Sequence, residues 1–164
     1  FDFSREPFET PAEEFILEYR SLLEEALLFP DVKRVLETFD KLACRQFILS
    51  AMEQTALNET VGERGIAGYF EELSGISDNM AHSKLASGKK LMQEKQLDPM
   101  ETIMIGDTLH DYEVATELGI GIILVSRGHQ HHERLLGSGS LVLNSLDELL
   151  VVLQPFSGNG GATR

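Results

Sequence analysis

A single cysteine, Cys44, leaves this 164-residue chain without an internal disulfide, which fits a reducing compartment. Basic residues are scarce. Fourteen Lys and Arg stand against 27 Asp and Glu, a net charge of −13. A chain this acidic repels phosphate backbones and anionic headgroups, so nucleic-acid and membrane partners are not expected. No apolar run reaches the ~20 residues of a membrane span. The opening Phe1-Asp2-Phe3-Ser4-Arg5-Glu6 has neither the basic nor the apolar region of a signal peptide, and a cytoplasmic location is expected. What is present is ordinary for a folded domain. Hydrophobic residues make up 42% and charged residues 25%, which excludes wholesale disorder. The length supports one core without staples.

The apolar pattern changes period along the chain. Thr10-Pro11-Ala12-Glu13 reads as a capped helix start. Phe15, Ile16, Tyr19, Leu22, Leu23, Ala26 and Leu27 follow at helical spacing. Phe29-Pro30-Asp31 interrupts, and Val32, Val35, Leu36, Phe39 and Leu42 make the stripe of a second helix. Phe47-Ile48-Leu49 is a short buried strand ending at Ser50, with a polar helix beyond it to about Glu63. Gly65 to Phe70 is a turn, Glu72 to Ile76 a weak strand, and Lys84 to Gln96 a helix. Two clear strands, Thr102 to Ile105 and Ile122 to Val125, flank a helix opened by Asp111 and ended by Gly119. Leu141 to Leu143 and Leu146 to Leu153 supply a further strand and a closing helix, and the glycine-rich tail is expected to be disordered. Continuous apolar strands alternating with helices predict an α/β fold, a parallel sheet covered on both faces. Ligands of such sheets bind beyond the carboxyl ends of the strands.

Three places there carry polar groups suited to chemistry. In Gly106-Asp107-Thr108-Leu109-His110-Asp111 the glycine turns the chain off a strand, so that Asp107 projects into the crevice, with Asp111 close by at the next helix start. Two nearby carboxylates repel unless a cation sits between them, and hard oxygen donors suit Mg²⁺. A bland reading remains open, in which Asp111 only caps a helix. Ser50 could hold a phosphate oxygen with the exposed N–H groups around it, or could simply cap a helix. Lys84 could neutralise a transferring phosphoryl group, or be a surface lysine. Lys89 and Lys90 are weaker candidates. His129, His131 and His132 form a cluster with Glu133 that can be read as a transition-metal site, a substrate-facing loop or a solvated loop. His82 and His110 are equally open. Cys44 reads as packing, since no base stands beside it.

Taken in order, Ser50, Ser83-Lys84 and Gly106-Asp107-Thr108-Leu109-His110-Asp111 resemble motifs II, III and IV of the haloacid dehalogenase superfamily of phosphohydrolases. The resemblance to its phosphoglycolate-phosphatase-like members runs from about Phe29 to Leu153. It includes Leu28-Phe29-Pro30-Asp31-Val32, Gly65 to Phe70, Tyr112-Glu113-Val114-Ala115 and Arg127-Gly128-His129-Gln130. It implies a HAD-like, Rossmann-like parallel sheet flanked by helices. It also implies Mg²⁺ as cofactor and a small phosphorylated substrate such as phosphoglycolate. Ser50 and Lys84 would bind phosphate, Asp107 would ligate the metal, and Asp111 would hold the metal's water or Lys84. The family's nucleophile is the first aspartate of an Asp-x-Asp-Gly-Thr motif. It forms an aspartyl-phosphate, and the second aspartate acts as acid and base.

No Asp-x-Asp occurs in this chain. Phe1-Asp2-Phe3-Ser4 has Ser4 where the acid/base should stand, no apolar strand before Asp2 and no Gly-Thr after it. The expected organisation is therefore a remnant of a helical cap over residues 1–28, a HAD-like core over 29–154 and a tail over 155–164. The family's central strand, between those ending at Ser50 and Asp107, is expected to be missing. That would leave two strand edges open to pairing with other chain, while the oligomeric state is not legible. Two rivals remain: a catalytically inactive phosphate- or protein-binding module, and a receiver-like phosphoacceptor domain, which lacks the paired early acids it would want.

Overall fold

The computed structural model describes residues 27–76 and 82–153. The expected cap helix and the glycine-rich tail lie outside them, apart from Leu27 and Leu28. The first described helix, α1 (Val32–Lys41), has Asp31 at its N-cap position, but that carboxylate makes no cap hydrogen bond. Strand β1 (Phe47–Glu53) leads directly into helix α2 (Gln54–Glu63). The Glu53 carboxylate caps it by accepting from the N–H groups of Thr55 and Ala56. A short 3₁₀ turn at Ala67–Tyr69 precedes β2 (Glu72–Ile76). Then come α3 (His82–Glu94), β3 (Ile103–Gly106), α4 (Leu109–Leu118) and β4 (Gly121–Val125), and finally α5 (His132–Leu136), β5 (Leu141–Leu143) and α6 (Asp147–Val152).

The strands form two parallel sheets, β1-β2 and β3-β4-β5. Among the described residues no hydrogen-bonded pairing joins β1 to β3. Helices tie the two pieces together on both faces. On one, Val35 of α1 packs with Ile123, Val125, Leu143 and Leu149 in a cluster that also takes Phe39. Leu36 of the same helix packs with Leu57, Val61 and Ile66 on the β1-β2 side. On the other, Gly88 of α3 lies between Leu49 of β1 and Leu118 of α4 (a Cβ there would sit 3.0 Å from each). Each leucine or valine wholly buried in these clusters contributes roughly 1.5–3 kcal/mol relative to exposure.

Burial is uneven across the three-stranded sheet. Ile105 of β3 is in register with Ile123 of β4, so their side chains share a face. Ile123 is 6% exposed under α1, whereas Ile105 and Ile103 are 39% and 40% exposed. The apolar surface of the sheet is thus covered over β4 and bare toward the edge of β3 that has no partner among the described residues.

Several boundaries differ from the sequence reading, most by one or two residues, and three differences bear on the site. Strand β1 runs past Ser50 to Glu53, because its pairing with β2 resumes at Glu53↔Ile76 after a register shift beyond Leu49. Ser50 thus sits at the irregularity, with its Oγ accepting from the Met52 N–H at 3.1 Å. Helix α4 starts at Leu109, with Thr108 rather than Asp111 at its N-cap. The end of the Arg127 to His132 loop is taken up by the first turn of α5.

Candidate active site

Strand β3 delivers Gly106 and Asp107 to its carboxyl end, and the turn into α4 is built around Asp111. The Thr108 hydroxyl and Asp111 make a reciprocal capping box. Asp111 Oδ2 accepts from the N–H groups of Asp107 and Thr108 and from Thr108 Oγ1, at 3.1, 3.0 and 2.8 Å. Gly106 makes this fit possible, since a Cβ on it would lie 2.4 Å from the Asp111 Cβ.

The other oxygen of Asp111 faces α3. Lys84 Nζ donates to Asp111 Oδ1 at 2.5 Å, with the two side chains 13% and 6% exposed. Burial opposes the charge of Asp111. The hydrogen bond and charge of Lys84 outweigh it, helped by the Thr108 hydroxyl and the Asp107 N–H, and hold the carboxyl below the usual range. Both Asp111 oxygens are therefore engaged, and of the two roles set out for this residue the geometry displays the one that holds Lys84.

Asp107 is differently placed. Its side chain is 38% exposed. Its Oδ2 accepts from the backbone N–H of His129 at 2.8 Å and stands 3.0 Å from His129 Nδ1. Oδ1 has no hydrogen-bond donor among the described residues. The loop after β4 also closes on the next residues, where Gln130 Oε1 accepts from the Leu109 N–H at 3.0 Å. Gly128 lies against Asp107 so closely that a Cβ would fall 1.7 Å from Oδ2. Gly128→Ala must displace either the loop or the carboxylate. A loss of about 1–3 kcal/mol in stability is expected, as for other overpacked sites, and urea denaturation measures it.

The sequence-predicted residues thus divide. Lys84, Asp107 and Asp111 come together. Ser50 stays in the β1-β2 sheet, with its hydroxyl turned to its own Met52 N–H. Of the histidines, His110 points to Glu113 at 3.3 Å and His132 to Ser126 at 3.2 Å. The His82 side chain lies outside the described ones. Among those described, only His129 reaches a site carboxylate, and no group of three or more His, Cys, Asp or Glu side chains able to hold a metal occurs. Reading along the sequence did not single out Thr108, Gly128 as a close neighbour of Asp107, or the pairing of Asp31 with Arg127. The loops after β3 and β4 leave adjacent parallel strands, and that adjacency was the available signal for the second of these.

The donor set fits a hard divalent cation in part. Asp107 offers one carboxylate oxygen with no donor among the described residues, and Mg²⁺ commonly takes one or two carboxylates and completes its shell with water and phosphate.

Comparison with known proteins bears on the fold and the family. The chain is 28% identical over 129 residues to phosphoglycolate phosphatase of Vibrio parahaemolyticus, covering 77% of this chain and 56% of that protein. It therefore spans little more than half the length of that relative. A haloacid dehalogenase-like family hydrolase from Streptococcus pneumoniae superposes with a TM-score of 0.76 at 25% identity, over 87% of this chain and 70% of that one. Protein Tyrosine Kinase A of Mycobacterium tuberculosis shares the fold, with a TM-score of 0.70 at 22% identity over 87% of this chain and 70% of that one. The family model for haloacid dehalogenase-like hydrolases matches residues 4–125, and with its α/β architecture this chain belongs to that family.

Proposed function

We propose that this chain is the greater part of a Mg²⁺-dependent phosphomonoesterase acting on a small phosphorylated metabolite, with phosphoglycolate the first candidate. The observation that carries the reading is the buried Lys84–Asp111 pair set beside the half-exposed Asp107 at the carboxyl end of β3. In this reading Asp107 holds the metal through its unengaged oxygen. Lys84, fixed by Asp111, lies where it can offset negative charge on a transferring phosphoryl group. Ser50 supplies a phosphate contact. A bound Mg²⁺ would add further charge neutralisation at the phosphate.

The nucleophile comes from outside these 164 residues. The absence of an Asp-x-Asp sequence supports this, as does the lack, among the described residues, of a partner for the facing edges of β1 and β3. The same two facts favour a second reading, an inactive phosphate- or protein-binding module. No helix of the described residues is long and apolar enough to cross a membrane. A cytoplasmic site of action is proposed from the acidic composition and the single cysteine.

The test is phosphate release from an aryl phosphate by the purified chain with Mg²⁺, with Asp107→Asn as control. The expected result is no release above the control. Release that disappears in Asp107→Asn would place a working nucleophile within the chain, make Asp2 the suspect and overturn the external-nucleophile reading.

A further inference from the structure

We propose that His129 is a positioning residue for the metal-binding carboxylate. Its backbone N–H and its imidazole together clamp Oδ2 of Asp107 and leave Oδ1 presented to the cation. This rests on the reading of Asp107 as a metal ligand. The two contacts, 2.8 Å from the backbone nitrogen and 3.0 Å from Nδ1, fall on the same oxygen. A carboxylate oxygen has two lone pairs, so with the ring proton on Nδ1 both are occupied. The carboxylate then cannot rotate without breaking two hydrogen bonds, and its remaining lone pairs are those of Oδ1. Outer contacts of this kind orient a metal ligand and raise affinity without touching the metal.

The clamp is held from several sides. Next to His129, Gly128 packs its backbone against Asp107 with no room for a Cβ. After it, Gln130 Oε1 takes the Leu109 N–H, which ties the loop to the first turn of α4. Before it, Arg127 Nη1 donates to the buried Asp31 Oδ2 at 2.7 Å, and its guanidinium lies 4.9 Å from the Phe29 ring centroid. Asp31 in turn accepts the Leu146 N–H at 3.0 Å. The loop is thus strapped between the N-terminus of α1 and the N-terminus of α4, and His129 is its point of contact with the metal carboxylate. Its side chain is 79% exposed, so its placement is not explained by burial in the core.

The test reads metal binding by the chain as it stands, without turnover. Mn²⁺ is titrated into wild type, His129→Ala and His129→Asn, and paramagnetic broadening of the Asp107, Thr108 and Leu109 amide resonances gives Kd. The alanine variant keeps the backbone contact and loses the imidazole. Its Kd is expected to rise about tenfold, the low end for loss of an outer contact to a metal ligand. In the asparagine variant the amide nitrogen can take the place of Nδ1 and recover most of the loss. Melting temperatures of the three proteins should coincide, which a merely structural role would not allow. If His129→Ala binds Mn²⁺ as tightly as wild type or tighter, the clamp is overturned while Asp107 remains a metal ligand. If wild type shows no broadening at these amides, both the clamp and the metal reading of Asp107 fall.

Discussion

Asp111→Ala is expected to destabilise the chain by about 3–5 kcal/mol, the cost of breaking a buried ion pair from one side. The substitution leaves the Lys84 ammonium, 13% exposed, without its counter-charge. It also removes the acceptor of the Asp107 N–H, the Thr108 N–H and the Thr108 hydroxyl. A double variant, Lys84→Met with Asp111→Leu, should cost less than the single change, because no charge is then stranded. Acid provides a second signature. The folded-state carboxyl titrates below its unfolded value, so as pH falls the unfolded chain takes up the proton first. The stability supplied by ionised Asp111 is full above the ordinary carboxylate range and is lost as pH drops through the folded-state value. Asp111→Asn removes that component, so the gap between wild type and this variant should narrow on acidification. Urea midpoints from neutral pH downward measure both effects. A cost for Asp111→Ala under about 1 kcal/mol, the range of exposed pairs, would show that the pair does not hold the turn together.

How much of this was legible in the sequence depends on how local each cause is. β3 and β4 were readable because Ile103-Met104-Ile105 and Ile122-Ile123-Leu124-Val125 are continuous apolar runs, which sheets covered on both faces require. Asp107 and Asp111 were readable because a glycine releases the strand just before them. The start of α4 was misplaced because Thr108 and Asp111 are both good caps. Which one caps is decided by the backbone turn at Thr108, φ −136° and ψ 159°, rather than by residue type. The end of β1 was misplaced for a different reason. Its extension to Glu53 depends on pairing with Ile76, and no periodicity within β1 records its neighbour. Asp31 and Arg127 are 96 positions apart. Their pairing is a product of the assembled fold, and Asp31 read locally is only a turn residue before a helix. Lys84 alone could equally be a surface lysine, and the order of the family's motifs strengthens it as a candidate. The structure adds what spacing could not, that its ammonium is paired with the buried Asp111.

Supplying a strand between β1 and β3, which no pairing joins among the described residues, should produce the largest change of all. The requirements on that strand follow from its neighbours. It must run parallel to both, since β1 and β3 each lie in parallel sheets. It must be apolar on both faces, because its side chains would stand beside exposed Ile103 and Ile105 on one face and beneath α3 and α4 on the other. Its carboxyl end would then lie between the ends of β1 and β3, with Lys84 and Asp107 alongside. An N-terminal extension ending in Asp-x-Asp-Gly-Thr and joined through a flexible linker meets these terms. Two results are expected. Covering the bare isoleucines, at roughly 25 cal/mol per Å² of apolar area, and pairing both edges should raise the melting temperature. Aryl phosphate hydrolysis with Mg²⁺ should rise by on the order of 10³-fold or more over the unextended chain, the scale of effect seen when a covalent nucleophile is removed from an enzyme. The new activity should vanish when the first aspartate of the added motif is changed to Asn, and again in Asp107→Asn and Lys84→Met. The two readouts separate the ideas. A gain in stability without turnover would confirm the slot but favour the inactive binding module. No gain in either would mean that the two sheets are not spaced for a strand, and the external-nucleophile reading would lose its structural support.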